Sequence, residues 1–322
     1  MGKEGCGMRL ERGHYTAFIT GAVWGTVGLF TRSLFDAGLS TLQIATYRST
    51  ATALVMGIVV ALWNRGLFKV ERSDLPYLAL FGFSGITLAY FTYLNAMLYT
   101  SLATAAMLMY TNPIYTTLLA AVIFRERIYK GKVAGLIMLI AGCALLVKVY
   151  DTSYFAVNLR GIMYGLASGV SVTAAALSAK KVSAKYHPLT SIFYTFFFGS
   201  LFLAVFSQPW KSGGIALQKS ILMPLGFLVL VPGILGFFLY MYSVKRIEVS
   251  QTEACVMVEP VVAAIIGYMF FGETMDWVQL AGAVTILSGV LVYNDAWSGI
   301  AVKKGDTLNV EEMLDDGTEG SC

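Results

Sequence analysis

The feature that most limits this chain is the recurrence of apolar stretches about as long as a bilayer is thick. A membrane-crossing helix needs ~20 predominantly apolar residues, and in lipid it satisfies all its backbone polar groups internally. Between charged or Gly/Pro/Asn-rich breaks, ten such stretches run near 15–34, 41–63, 76–98, 101–123, 131–150, 159–180, 188–208, 222–244, 250–271 and 277–297. The expected fold is therefore an all-α polytopic membrane protein. The breaks at Tyr99–Thr100 and Gly272–Asp276 are so short that their flanking helices are expected to pack as antiparallel hairpins.

Composition agrees and removes other function classes. Charged residues are 13% of the chain, about half the ~25% usual for soluble proteins. A net charge of +4 leaves no electrostatic footprint for nucleic acid. Two histidines offer little to a metal or an imidazole catalyst, and His14 and His187 are expected to be solvated. Of the four cysteines, Cys143 and Cys255 sit in apolar runs and Cys6 and Cys322 at the ends. That pattern is neither a disulfide framework nor a metal site, and buried cysteines of this kind act as small hydrophobes. The opening MGKEGCGMRLERGHY is too polar for a signal peptide, so the first apolar run is expected to remain as an anchor.

Orientation follows from loop charge. With the N-terminus in the cytoplasm, seventeen Lys and Arg residues fall inside and five outside, and Arg48 lies within the second span. This bias places both termini in the cytoplasm. Trp63, Trp210, Trp277 and Trp297 fall near span ends, where aromatic belts form; only Trp24 is mid-span.

The two halves repeat. At an offset of 147, Asn112-Pro113 aligns with Glu259-Pro260, Glu126 with Glu273, Gly135 with Gly282, Gly142 with Gly289 and Tyr93 with Tyr240. At an offset of 144, Gly21 and Gly25 align with Gly165 and Gly169. Five spans per copy is an odd number, so the second copy enters the membrane upside down. The architecture is ten transmembrane helices as two inverted five-helix repeats, an arrangement transporters use with a substrate site near the midplane. The expected organisation is an N-terminal cytoplasmic segment 1–14, repeats at 15–150 and 159–297, and an acidic cytoplasmic tail at 298–322.

With these residues in view, the chain resembles the drug/metabolite transporter superfamily, in its EamA-type branch. The resemblance rests on Trp24-Gly25, Arg48, the mid-span Asn112-Pro113 and Glu259-Pro260 pairs, and two stretches. These are Phe124-Arg125-Glu126-Arg127 through Gly142 and Phe271-Gly272-Glu273-Thr274 through Gly289. It covers about residues 15–297. It implies a secondary transporter and leaves the substrate open, since the superfamily carries amino acids, sugars, nucleotides, choline and drugs.

Several residues are candidates for transport. Glu259 stands at the centre of span nine, where a carboxylate is expensive and marks a functional hypothesis. Pro260 breaks the helix ladder beside it, and freed carbonyls next to a carboxylate make a proton or cation site. The competing reading is a protonated glutamate bonding helices together. Asn112, with Pro113, is its counterpart in span four, with Tyr115 three residues on and on the same helix face; Asn112 reads equally as a substrate contact or as a kink with an interhelical hydrogen bond. Tyr90, Tyr93 and Met97 share a face of span three, with Phe237 and Tyr240 at matching places in span eight. Together with Trp24 and Tyr110 they are expected to line a central cavity, or else to be packing. Rings plus a carboxylate suit a cationic or aromatic ligand. Arg48 is assigned a gating or structural role, with contact to a substrate carboxylate as the alternative. Gly21, Gly25, Gly28, Gly165 and Gly169 read as helix-packing faces. Glu126 and Glu273 read as caps of spans five and ten, and Glu253 as an unremarkable residue near the cytoplasmic end of span nine.

No nucleotide-binding loop, HExxH or Ser/His/Asp set is present in the sequence, so no enzyme activity, cofactor or metal is expected. The reading that results is a secondary active transporter of the plasma or inner membrane. It moves small organic metabolites (amino acids, amines or related compounds) by alternating access, through export or proton-coupled exchange. The alternatives are a cation-preferring, choline- or amine-type importer, or a helical membrane receptor or assembly protein without flux. Expected partners are a small-molecule substrate, protons and the bilayer, and no nucleic acid. The residues admit a monomer or a homodimer.

Overall fold

The computed structural model describes residues 11–148, 158–207 and 218–294. Expectations for the two termini, the acidic tail, Trp210 and Trp297 lie outside them. Among the described residues the regular structure is helical, and fifteen α-helices group into ten spans. In the first repeat, α1 (Arg12–Gly25) and α2 (Val27–Asp36) form span one, and α3 (Thr41–Trp63) forms span two. Span three is α4 (Leu75–Gly82), a π-helical segment Phe83–Leu88, and α5 (Ala89–Tyr99). Span four is α6 (Leu102–Met109) with α7 (Asn112–Phe124), and span five is α8 (Lys130–Leu146).

The second repeat follows the same plan. It runs α9 (Leu159–Lys185), α10 (Pro188–Ser207), then α11 (Lys219–Leu228), a π-helical segment Val229–Gly236 and α12 (Phe237–Arg246). It ends with α13 (Val249–Val256), α14 (Glu259–Phe271) and α15 (Trp277–Tyr293). Displaced by 147 residues, the start of every helix from α6 to α8 falls on the start of its counterpart from α13 to α15. Even the left-handed residues that end α7 and α14, Arg125 (φ 56°) and Gly272 (φ 65°), correspond.

Among the described residues, seven stretches are long and apolar enough to cross a membrane. The shorter α8 and α15 have 17 residues each, or ~25 Å of helix. They pack against each other along their length. A Cβ added at Gly142 would lie 2.8 Å from the Gly282 carbonyl oxygen, so the two backbones touch and no larger residue fits.

Local chemistry explains the interrupted spans. Pro113 and Pro260 are each the second residue of a half-helix, where the missing amide hydrogen is unneeded but would have broken a continuous ladder. Pro232 removes another donor, and the turn widens to π around it. In span three, Ser84 Oγ donates to Leu80 O at 2.6 Å, competing for a ladder carbonyl as the π segment begins.

The short connections do not choose the packing partners. The expected α14–α15 hairpin gives way to α15 on α8, while α5 and α6, which do touch, both lie on α9. Likewise α3 packs on α10, and α1 on α12, α13 and α14. Each span finds its main partner in the other repeat, because burying complementary faces outweighs the short tether.

Candidate functional site

The glycine faces bring α1 and α9 directly onto the helix breaks. A Cβ on Gly21 would meet the Val256 carbonyl oxygen at 2.6 Å, and one on Gly25 the Glu259 carbonyl oxygen at 2.8 Å. Gly165 and Gly169 stand against Leu108 and the carbonyls beside it. Nothing lies within 4 Å of such an atom on Gly28, so that glycine is not part of a close contact. Each first span therefore leans on the break in the opposite repeat, and a cavity of about 330 Å³ opens beside the breaks.

Its walls hold most of the residues singled out from the sequence. Trp24, Tyr90, Tyr93, Tyr110, Phe237 and Tyr240 supply rings; Arg48, Asn112 and Glu259 supply polar groups. The rings are organised: Trp24 lies 5.3 Å from Phe237 and 5.4 Å from Tyr240, centroid to centroid. Its indole Nε1 donates to Pro232 O at 3.1 Å, a carbonyl of the π segment. Pro113 and Pro260 shape the breaks and do not line the cavity. Tyr115 is also off its wall. Along span four the lining ends at Asn112, and Tyr115 stands ~4.5 Å further along the helix axis.

Glu253 overturns its sequence assignment. It is 4% exposed, lines the cavity, and joins three helices. Asn112 Nδ2 donates to its Oε2 at 2.7 Å and Tyr240 Oη to its Oε1 at 2.7 Å. Thr173 Oγ1 donates in turn to the Asn112 carbonyl at 3.2 Å. Pattern reading placed Glu253 by its distance from the span end. Its role comes from what α7 and α12 bring to it, and no local motif signals that. His14 is likewise buried, at 5% exposure, with Nδ1 accepting from Glu11 N at 3.1 Å; His187 is exposed as expected. Glu126 does cap a helix, but α13 of the other repeat and not α8. Glu273 pairs with Arg32, and α15 is capped by Asp276.

Two ionisable groups in the cavity make no side-chain hydrogen bond among the described residues. Arg48 is 8% exposed, its guanidinium lies 5.3 Å from the Tyr90 ring centroid, and its Nε has no hydrogen-bond acceptor among the described residues. The Glu259 carboxylate, on the first residue of α14, takes no hydrogen bond among the described residues. The charged groups acting on it are Glu253 and Arg48. Burying a charged group without a hydrogen-bonded partner is costly, and both groups face the cavity. Among the described residues no group of three His, Cys, Asp or Glu is placed to hold a metal ion.

Comparison with known proteins bears on the family and the fold. A transporter from Archaeoglobus fulgidus, itself uncharacterised, is 30% identical over 89% of this chain and 97% of its own length. A "probable terminal-alkyne amino-acid exporter" of Streptantibioticus cattleyicolor is 26% identical over 89% of this chain and 95% of its own. A "probable amino-acid metabolite efflux pump" of Salmonella typhimurium is 24% identical over 70% and 79%. A solved crystal structure at 18% identity shares the fold, with a TM-score of 0.72 over 87% of this chain and 94% of that one. The model of the EamA-like transporter family matches twice, at residues 11–148 and 159–294. The chain is an integral membrane transporter and belongs to the EamA-like transporter family.

Proposed function

We propose that the cavity binds small zwitterionic metabolites of the amino-acid type. The chain exports them, or exchanges them for protons, across the plasma or inner membrane with both termini in the cytoplasm. The observation that carries this reading is the presence, in one cavity, of a guanidinium and a carboxylate that make no side-chain hydrogen bond among the described residues. Arg48 receives a substrate carboxylate through charge-assisted hydrogen bonds, Glu259 receives the ammonium, and the rings hold the apolar remainder. The volume sits at the low end of the ~300–1,000 Å³ usual for ligand sites, which suits one small metabolite. The names of two relatives, an amino-acid exporter and an amino-acid metabolite efflux pump, support the same class.

A second reading is favoured by the excess of carboxylates. Glu253 and Glu259 outnumber Arg48, and aromatic rings attract cations. An amine without a carboxylate would then be the substrate. Counterflow of labelled compound in liposomes decides, with matched pairs of amino acid and decarboxylated amine. Preference for the amino acid supports the zwitterion. Equal or better transport of the amine supports the second reading, and binding without equilibration of label defeats both.

A further inference from the structure

The end of the bundle at the α12–α13 connection is closed by side chains from both repeats. Glu126, on the α7–α8 corner, accepts from Val249 N at 2.8 Å and Ser250 N at 3.3 Å, and from Ser250 Oγ. It thereby caps the first turn of α13, for which the adjoining Glu248 supplies no side-chain bond. Its own side chain is 6% exposed. Lys132, equally hidden, donates to Glu248 and, at 3.0 Å, to Ser250 Oγ, and lies 3.9 Å from Glu126. Lys180 of α9 donates to the carbonyls of Val244 and Ile247 at 2.8 and 2.7 Å. Ser243 Oγ donates to Gly13 O of α1 at 2.8 Å. One turn further along α13 stands Glu253, in the cavity wall.

The repeat puts the counterpart of this closure at the opposite end, and there it is undone. The offset of 147 pairs Glu126 with Glu273, Lys132 with Gln279, and the first turn of α13 with that of α6. Yet α6 is capped by its own Ser101, whose Oγ accepts from Thr104 N at 3.1 Å. Glu273 is 63% exposed and lies 3.7 Å from Arg32. Gln279 Nε2 donates to Leu146 O at 3.0 Å.

We propose that Glu126 and Glu273 are alternating gate residues. Each caps the fourth-span half-helix of the opposite repeat while its own end is closed, and releases it when that end opens. This rests on the alternating-access reading. In it the structure stands closed at the α12–α13 end and released at the α5–α6 end, which the charge bias makes the outward-facing state. The chemistry suits a reversible latch, since a carboxylate at a helix N-terminus meets free amide donors and the positive end of the dipole. The copies are unequal: the first has a buried lysine in its latch where the second has a glutamine. The α12–α13 end is therefore the more firmly held, and the outward state is the resting one.

The test is a distance measurement by electron paramagnetic resonance. Spin labels go at the exposed Arg127 and Lys245, in a chain whose four native cysteines are replaced. Reconstituted protein is expected to show a main short distance and a minor long one. Glu126→Gln should enlarge the long population about fivefold, the effect of losing one helix cap on a two-state balance. Glu273→Gln, at an exposed site that tolerates change, should deplete that population by a similar factor and leave the short distance in place. If both populations exist and neither variant shifts them, the gate assignment is wrong and alternating access stands. If Glu126→Gln does not fold, an unaltered long population in Glu273→Gln overturns the assignment alone. A single distance during active counterflow overturns alternating access itself.

Discussion

Asn112 and Glu253 meet at 2.7 Å across the two repeats, the amide at the start of one half-helix donating to a carboxylate on another. Tyr240 holds the second oxygen of the same carboxylate. The cavity wall is thus tied together by a hydrogen-bonded group that neither repeat contains alone.

Removing the carboxylate should expose that dependence. Glu253→Ala leaves the buried Asn112 amide and the Tyr240 hydroxyl without acceptors, at about 1–3 kcal/mol each. A melting temperature several degrees lower is expected in detergent, with transport lost. Glu253→Gln keeps one acceptor for Tyr240 and should recover most of the stability. Equal melting temperatures for Ala and wild type would mean the contact is incidental.

Arg48→Gln should weaken zwitterion binding by roughly 10- to 100-fold, the worth of a hydrogen bond to a charged group. Binding of the decarboxylated amine should change little. Isothermal titration of the two ligands checks the contrast, and parallel losses for both would place Arg48 in a structural role.

Glu259→Gln keeps the shape of the side chain and removes its charge. With Glu259 as the ammonium ligand, counterflow and gradient-driven accumulation should fall together, along with affinity. Loss of accumulation with counterflow intact would make it a proton carrier without substrate contact. Unchanged behaviour at every pH would leave Glu259 with no part in transport.

Trp24 and Trp277 separate pocket from belt. Trp24 lines the cavity and bonds to Pro232 O, while Trp277 is 85% exposed at the start of α15. Trp24→Ala is expected to cut transport at least about tenfold, since removing a well-packed aromatic costs more than the ~1.4 kcal/mol of one decade. Trp277→Ala should leave it within about twofold, as exposed surface changes stay near ±0.5 kcal/mol. Matching losses, measured as initial rates in liposomes, would assign the rings to packing.

Gly142→Val forces side-chain atoms into the Gly282 backbone. Overpacking of this kind costs about 1–3 kcal/mol, so a lower melting temperature is expected. Gly28→Val, facing open space, should be neutral by the same measurement.

Ten spans, the inverted duplication and the glycine, proline and aromatic positions were legible in the residues, because each follows from a local rule. A bilayer dictates span length, proline removes a donor wherever it stands, and a repeat offset is a property of the string. That is why Trp24, Arg48, Asn112 and Glu259 could be picked out before any contact was known. The partnerships were decided by tertiary structure. Nothing near Glu253 announces that α7 and α12 will bring it an amide and a hydroxyl. Nothing near Glu126 announces that it will cap a helix 123 residues away. The same holds for the choice of α8, and not α14, as the neighbour of α15. Such pairings depend on which buried faces fit across the two repeats, and helix periodicity carries no record of that. Glu126 and Glu273 make the point most sharply: they are equivalent in the sequence, and only the packed bundle makes one a buried cap of α13 and the other an exposed carboxylate.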